Sequence, residues 1–188
     1  LAGNTASTDF SITASGAYRS NTGTQDVWMM KLNPAAPPDQ TVVYSSYYGG
    51  AGIEALAAMT IDSGGLIYIT GTTNSVDLPV TDRGFQQGNA GALDVFVAWF
   101  DPSQNGRLSL LYATYMGGAG IDQAGGIAVL DRKIYVTGST LSDNFPVANA
   151  FVPVHNGARD IFVAEIDPEK SGSASLVAST YFGGSGTD

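Results

Sequence analysis

The sequence predicts an all-β protein made of tandem four-stranded antiparallel units, and three observations carry that prediction. A strand-like run ending in an aromatic residue or Met, then Gly-Gly, recurs as Tyr48-Gly49-Gly50, Met116-Gly117-Gly118 and Phe182-Gly183-Gly184, at steps of 68 and 66 residues. Other landmarks keep nearly the same step: Thr70-Gly71 with Thr137-Gly138, Asp26 with Asp94 and Asp160, Asp101-Pro102 with Asp167-Pro168, and Pro79 with Pro146. No window holds a sustained 3.6-residue apolar period, while Gly (24 residues), Ser, Thr and Asn are abundant, as tight turns between short strands require. In a repeat protein each unit buries its apolar faces against its neighbours, so the unit decides the fold.

Period-two patterning divides the middle unit, residues 51–118, into four strands. Residues 55–61 form the first and residues 66–72 the second, around Ile67-Tyr68-Ile69-Thr70, with a turn of Asp62, Ser63, Gly64 and Gly65 between them. After a loop with Asp77-Leu78-Pro79-Val80, the third strand runs over residues 94–100 and the fourth over 108–115, joined by the turn Asp101-Pro102-Ser103-Gln104-Asn105-Gly106. The last unit, residues 119–188, repeats this with strands at 125–129, 133–139, 160–166 and 175–182. Its shorter turns account for the smaller step, and length variation belongs in loops. In the first unit, residues 1–50, Leu1-Ala2-Gly3-Asn4 aligns with Ile69-Thr70-Gly71-Thr72. This unit is expected to be partial, with the end of a second strand, a third at 26–32 and a fourth at 41–47.

Four-stranded antiparallel units in tandem are the blades of a β-propeller, stacked so that both faces of each sheet are buried. Val95-Phe96-Val97-Ala98-Trp99-Phe100 and Ile161-Phe162-Val163-Ala164 are apolar on both faces, as that stacking requires. Tyr47-Tyr48-Gly49-Gly50-Ala51-Gly52, Ile67-Tyr68-Ile69-Thr70-Gly71-Thr72, Asp94-Val95-Phe96-Val97-Ala98 and Asp101-Pro102 together resemble the bacterial β-propeller repeat known as the SBBP repeat. The resemblance covers essentially the whole chain. It implies large secreted or surface-attached proteins with many copies of the unit, and it brings no catalytic residues with it. Fewer than three units are too few to close a ring, so the expected architecture is an incomplete ring or an open repeat array, completed by further blades or by other copies.

Charge narrows the partners. A net charge of −9 with only eight Lys plus Arg disfavours nucleic acid and anionic membrane surfaces. No apolar run approaches the roughly 18 to 20 residues that span a bilayer, so membrane insertion is not expected. The absence of cysteine removes disulfide frameworks and thiol chemistry.

Three recurring constellations invite sharper readings. Gly-Gly-x-Gly-x-acid (residues 49–54, 117–122 and 183–188) matches the opening of a calcium-binding nonapeptide but recurs once per unit instead of every nine residues. The structural reading has the glycines supply positive φ at the passage between units and the acid accept loop amides. Asp101-x-Ser103-x-Asn105-Gly106 resembles the start of an EF-hand loop, yet the required bidentate acid would fall on Tyr112, which favours a hairpin turn. Asp26, Asp94 and Asp160, just before each third strand, could form paired acids for glycosidase chemistry. Their recurrence in every unit points instead to capping a turn or tying strands.

No Gly-x-Ser-x-Gly, His-Glu-x-x-His or phosphate-loop motif occurs, and the sole histidine, His155, reads as a solvated loop residue. No catalytic, cofactor-binding or metal-binding residue is predicted. Lys31, Trp99 and Glu165 are equivalent positions, and a site that accepts Lys and Glu should face water, which makes Trp99 a candidate exposed aromatic for a sugar or protein contact, or else a cover for a neighbouring unit. Trp28 aligns with Phe96 and Phe162 and is expected in the core. The expected function is a non-enzymatic extracellular or cell-surface structural or adhesive module, plausibly self-assembling into a filament or surface layer. The alternative is a carbohydrate- or protein-binding propeller segment of a larger secreted protein.

Overall fold

In the computed structural model, which describes residues 1–188, the chain forms three antiparallel sheets, three 3-10 turns and no α-helix. The first sheet holds β1 (Ala2–Thr5), β2 (Asp26–Leu32) and β3 (Val42–Tyr48), in that order. The second holds β4 (Glu54–Ile61), β5 (Ile67–Thr73), β6 (Asp94–Phe100) and β7 (Leu110–Met116). The third holds β8 (Asp122–Leu130), β9 (Lys133–Thr140), β10 (Asp160–Ile166) and β11 (Leu176–Phe182). Strand order follows chain order in every sheet, so each connection joins direct neighbours.

Irregularities repeat as faithfully as strands. The first strands of the second and third sheets bulge at Leu56/Ala58 and Ala124/Gly126, and all three sheets shift register between third and fourth strands, at Lys31/Leu32, Trp99/Phe100 and Glu165/Ile166. The fourth strands begin later than the alternation predicts because 3-10 turns at Gly106–Ser109 and Gly172–Ser175 intervene. These turns place Ser109 and Ser175 inside, each donating its hydroxyl back to the carbonyl of Gly106 or Gly172 at 2.8 Å. Gly106 and Gly172 have φ of 59° and 58°, the left-handed conformation that glycine adopts without strain.

The core lies between sheets. Val27, Met29, Tyr44 and Tyr48 of the first sheet pack on Ile67, Ile69, Phe96, Ala98, Phe100 and Tyr115 of the second. The opposite face of the second sheet, with Tyr68, Val95, Val97, Trp99, Tyr112 and Met116, packs on Ile134, Val136, Phe162, Ala164 and Ile166 of the third. Burying one such side chain contributes roughly 1.5–3 kcal/mol. The second sheet is therefore apolar on both faces, as its unbroken β6 run requires. Across each junction a tyrosine reaches the buried serine of the next sheet, Tyr44 to Ser109 at 2.9 Å and Tyr112 to Ser175 at 3.0 Å.

Candidate functional site

A second set of tyrosines ties each outer loop to its sheet. Tyr115 donates its hydroxyl to the carbonyl of Ser75 and accepts the amide of Leu78; Tyr47 does the same with Ser7 and Phe10, and Tyr181 with Ser142 and Phe145. Three tyrosines spaced by the repeat hold the related segments Ser7–Phe10, Ser75–Leu78 and Ser142–Phe145 by the same pair of hydrogen bonds. Loop variation can then occur without disturbing the sheets, which is how scaffolds carry binding loops.

Each passage between sheets holds a pair of acids. Asp94 is wholly buried at the start of β6, and its Oδ2 accepts the amide of Ala90 at 2.8 Å and the side-chain amide of Gln86 at 3.0 Å. Asp122, which opens β8, accepts the amide of Gly118 at 2.7 Å, the Ser142 hydroxyl at 2.9 Å and the Thr140 hydroxyl. Asp26 and Glu54 repeat the arrangement: Thr22 donates to Asp26, while Gly50, Thr73 and Ser75 donate to Glu54. Asp160 and Asp188 repeat it again, with Asn156 and Gly184 as donors. Burial above all, and then the neighbouring acid, raise Asp26 and Asp94 to about 6.

The glycines of the Gly-Gly motif serve this contact in a way other than the sequence suggests. Gly49, Gly50, Gly117, Gly118, Gly183 and Gly184 all keep negative φ, so conformational freedom is not their role. A Cβ on Gly117 would lie 2.5 Å from the Asp94 carboxyl and 2.8 Å from Asp122, and one on Gly49 would lie 2.5 Å from both Asp26 and Glu54. Glycine is needed because two carboxyls close over its Cα.

The turn acids cap their own loops. Asp101 Oδ1 accepts the amide and hydroxyl of Ser103, at 2.8 and 2.6 Å, and these bonds, the hydroxyl first, lower its pKa. Asp167 accepts the amide of Glu169 in the same way.

Trp99 is not the exposed aromatic that its equivalence with Lys31 and Glu165 predicts. It is 8% exposed and stacks on Tyr68 with ring centroids 5.6 Å apart and an interplanar angle of 8°. The three positions share a register but not a surrounding: Lys31 lies at the rim of the first junction, Trp99 inside the second, and Glu165 on a face that no sheet covers. Trp28 departs from expectation in the opposite sense. It is half-buried, because no sheet lies in front of the first one, and Phe10 stacks on it at 4.7 Å. His155 is also not solvated; its ring is 6% exposed, bonds Asp143 Oδ1 through Nδ1 at 2.8 Å and lies against Tyr181.

The most distinctive surface is the outer face of the third sheet. Val163 is 46% and Phe182 61% exposed, whereas their counterparts Val97 and Met116, and in turn Met29 and Tyr48, are fully buried. Thr137 is exposed where Thr70 is buried, and Ala128, Tyr135 and Val163 line a shallow apolar hollow. Sequence reasoning missed this surface, although alignment of the units marks each of its positions as one that faces the following sheet. No protein-family model matches the chain, and no curated protein matches it.

Proposed function

We propose that the chain is a non-enzymatic structural or adhesive module of the β-propeller type, whose outer sheet face is built to receive a further sheet of the same kind. The observation that carries this reading is the exposure of Val163 and Phe182 at positions that are fully buried in both internal junctions. Large apolar side chains left open at positions that are buried elsewhere in the same molecule mark an interaction surface. The motifs shared with SBBP repeats support the same reading and an extracellular or cell-surface setting, and the charge of −9 leaves nucleic acid an unsuitable partner. The covering sheet comes from another copy of the chain, in a head-to-tail contact that propagates a filament or surface layer, or from further repeats. The alternative of a glycan-binding segment loses the aromatic platform assigned to Trp99, whose ring face lies on Tyr68.

Electron microscopy with intact-mass measurement of the native material tests self-assembly. Regular filaments of a subunit that holds no repeats beyond these would support self-assembly, and Phe182→Asp should disperse them. Monomers at every concentration would overturn self-assembly, whereas closed rings of a heavier chain would assign the covering sheet to additional repeats.

A further inference from the structure

We propose that Asp26 and Asp94 are proton-binding sites, each taking up one proton on its unpartnered Oδ1 and thereby setting how tightly successive sheets are held together. At both positions, and at Asp160 in the last unit, Oδ2 accepts a loop amide while Oδ1 is buried with no hydrogen-bond partner. An isolated charged carboxylate oxygen shut away from solvent is costly, and one such oxygen in every repeat is a pattern, not an accident of one loop.

The surroundings supply no countercharge. Asp26 faces Glu54 on β4 and Asp77 in the following loop; Asp94 faces Asp122 on β8 and Tyr115 on β7; Asp160 faces Asp188 and Tyr181 on β11. None of the four ion pairs in the structure involves any of the junction acids, and Arg159, beside Asp160, directs its guanidinium to Gln123 and Ser139. Within each pair the roles divide. Glu54 and Asp122 each accept three hydrogen bonds, while Asp26 and Asp94 each keep one oxygen free to carry hydrogen. The proton comes from solvent and returns to it, so each of the two junctions carries one negative charge fewer below the titration than above it.

The sign follows from linkage. Asp26 and Asp94, at about 6 in the folded chain, bind protons more tightly than the same groups unfolded, where an aspartate has its ordinary value of 3.8. Their contribution to stability is therefore fully present below about pH 4 and is lost as pH rises through about 6. The junctions are tightest in mild acid and loosen toward neutral pH.

The test combines a substitution with a direct titration. Asp94→Asn keeps the acceptor for Ala90 and Gln86 and places an amide donor where Oδ1 stands. It is expected to raise Tm at pH 7.5 by at least about 3 °C and to change it little at pH 4.5. A Tm lowered equally at both pH values would overturn the proposal. Carbon-13 NMR of the wild-type carboxyls decides the matter independently of whether the variant folds. Two aspartates titrating near pH 6, Asp26 and Asp94, are expected, and titration of both below about pH 5 would refute it. Stabilisation at pH 7.5 by calcium, reversed by chelation, would also overturn it, since a metal ion and not a proton would then satisfy Oδ1.

Discussion

The far face of the second sheet and the far face of the third are the same surface in two conditions. On the second, Tyr68, Thr70, Val97 and Met116 are wholly covered by the third sheet; on the third, Tyr135, Thr137, Val163 and Phe182 occupy the same register and are open to different degrees. Strand pairing within the two sheets is nearly identical, so local sequence does not determine burial here; the presence of a following sheet does. Where chemistry changes between the faces, it changes toward water. Trp99 becomes Glu165, which pairs with Lys133 at 3.0 Å, and Tyr112, which reaches Ser175, becomes Ala178. Val163 and Phe182 do not follow that trend, and the proposal that a further sheet covers this face rests on them.

Six substitutions sharpen the contrast. The largest effect belongs to Met116→Ala, which empties a covered junction and should cost about 2–5 kcal/mol in denaturant unfolding, while Phe182→Ala at the matching open position should cost under about 1 kcal/mol. Gly118→Ala comes next. Its Cβ would meet Asn144 Oδ1 at 2.5 Å, so a loss of about 1–3 kcal/mol is expected, whereas Gly184→Ala, with nothing nearer than 3.9 Å, should be almost neutral. Equal losses at the two glycines would break the comparison. Tyr112→Phe removes the bond to Ser175 between sheets and should lower stability by about 1 kcal/mol. Smallest is Glu165→Gln on the open face, within about 0.5 kcal/mol by thermal unfolding, since its pair with Lys133 remains accessible to water.

Strands were legible where side chains alternate and turn residues bound them. The third strands, Asp26–Leu32, Asp94–Phe100 and Asp160–Ile166, lie where the pattern puts them because each begins at a capping acid. Fourth strands were read too early because the 3-10 turns at Gly106–Ser109 and Gly172–Ser175 are specified by a buried serine's contact with the preceding sheet, which no local periodicity records. Trp99 stands between two readings, exposed aromatic or cover for a neighbouring unit, for a related reason, and the structure has it as the cover. Equivalent positions share backbone geometry, but their environment depends on which neighbour is present. The recurring acids were readable as loop caps, yet the approach of Asp94 to Asp122 joins strands of different sheets across a glycine. The available signal was that both acids keep the repeat step with Gly-Gly between them.

The central claim is that the open face of the third sheet is an unfilled junction, and adding a repeat tests it most directly. Residues 55–118 appended after Asp188 continue the register, because Asp188 occupies the position of Glu54 and Asp122. Phe182→Asp would then be measured by denaturant unfolding in the 188-residue chain and in the extended one. The account predicts a change within about 0.5 kcal/mol in the first and a loss above about 3 kcal/mol in the second, where the charge would be buried. The same small effect in both chains would contradict it.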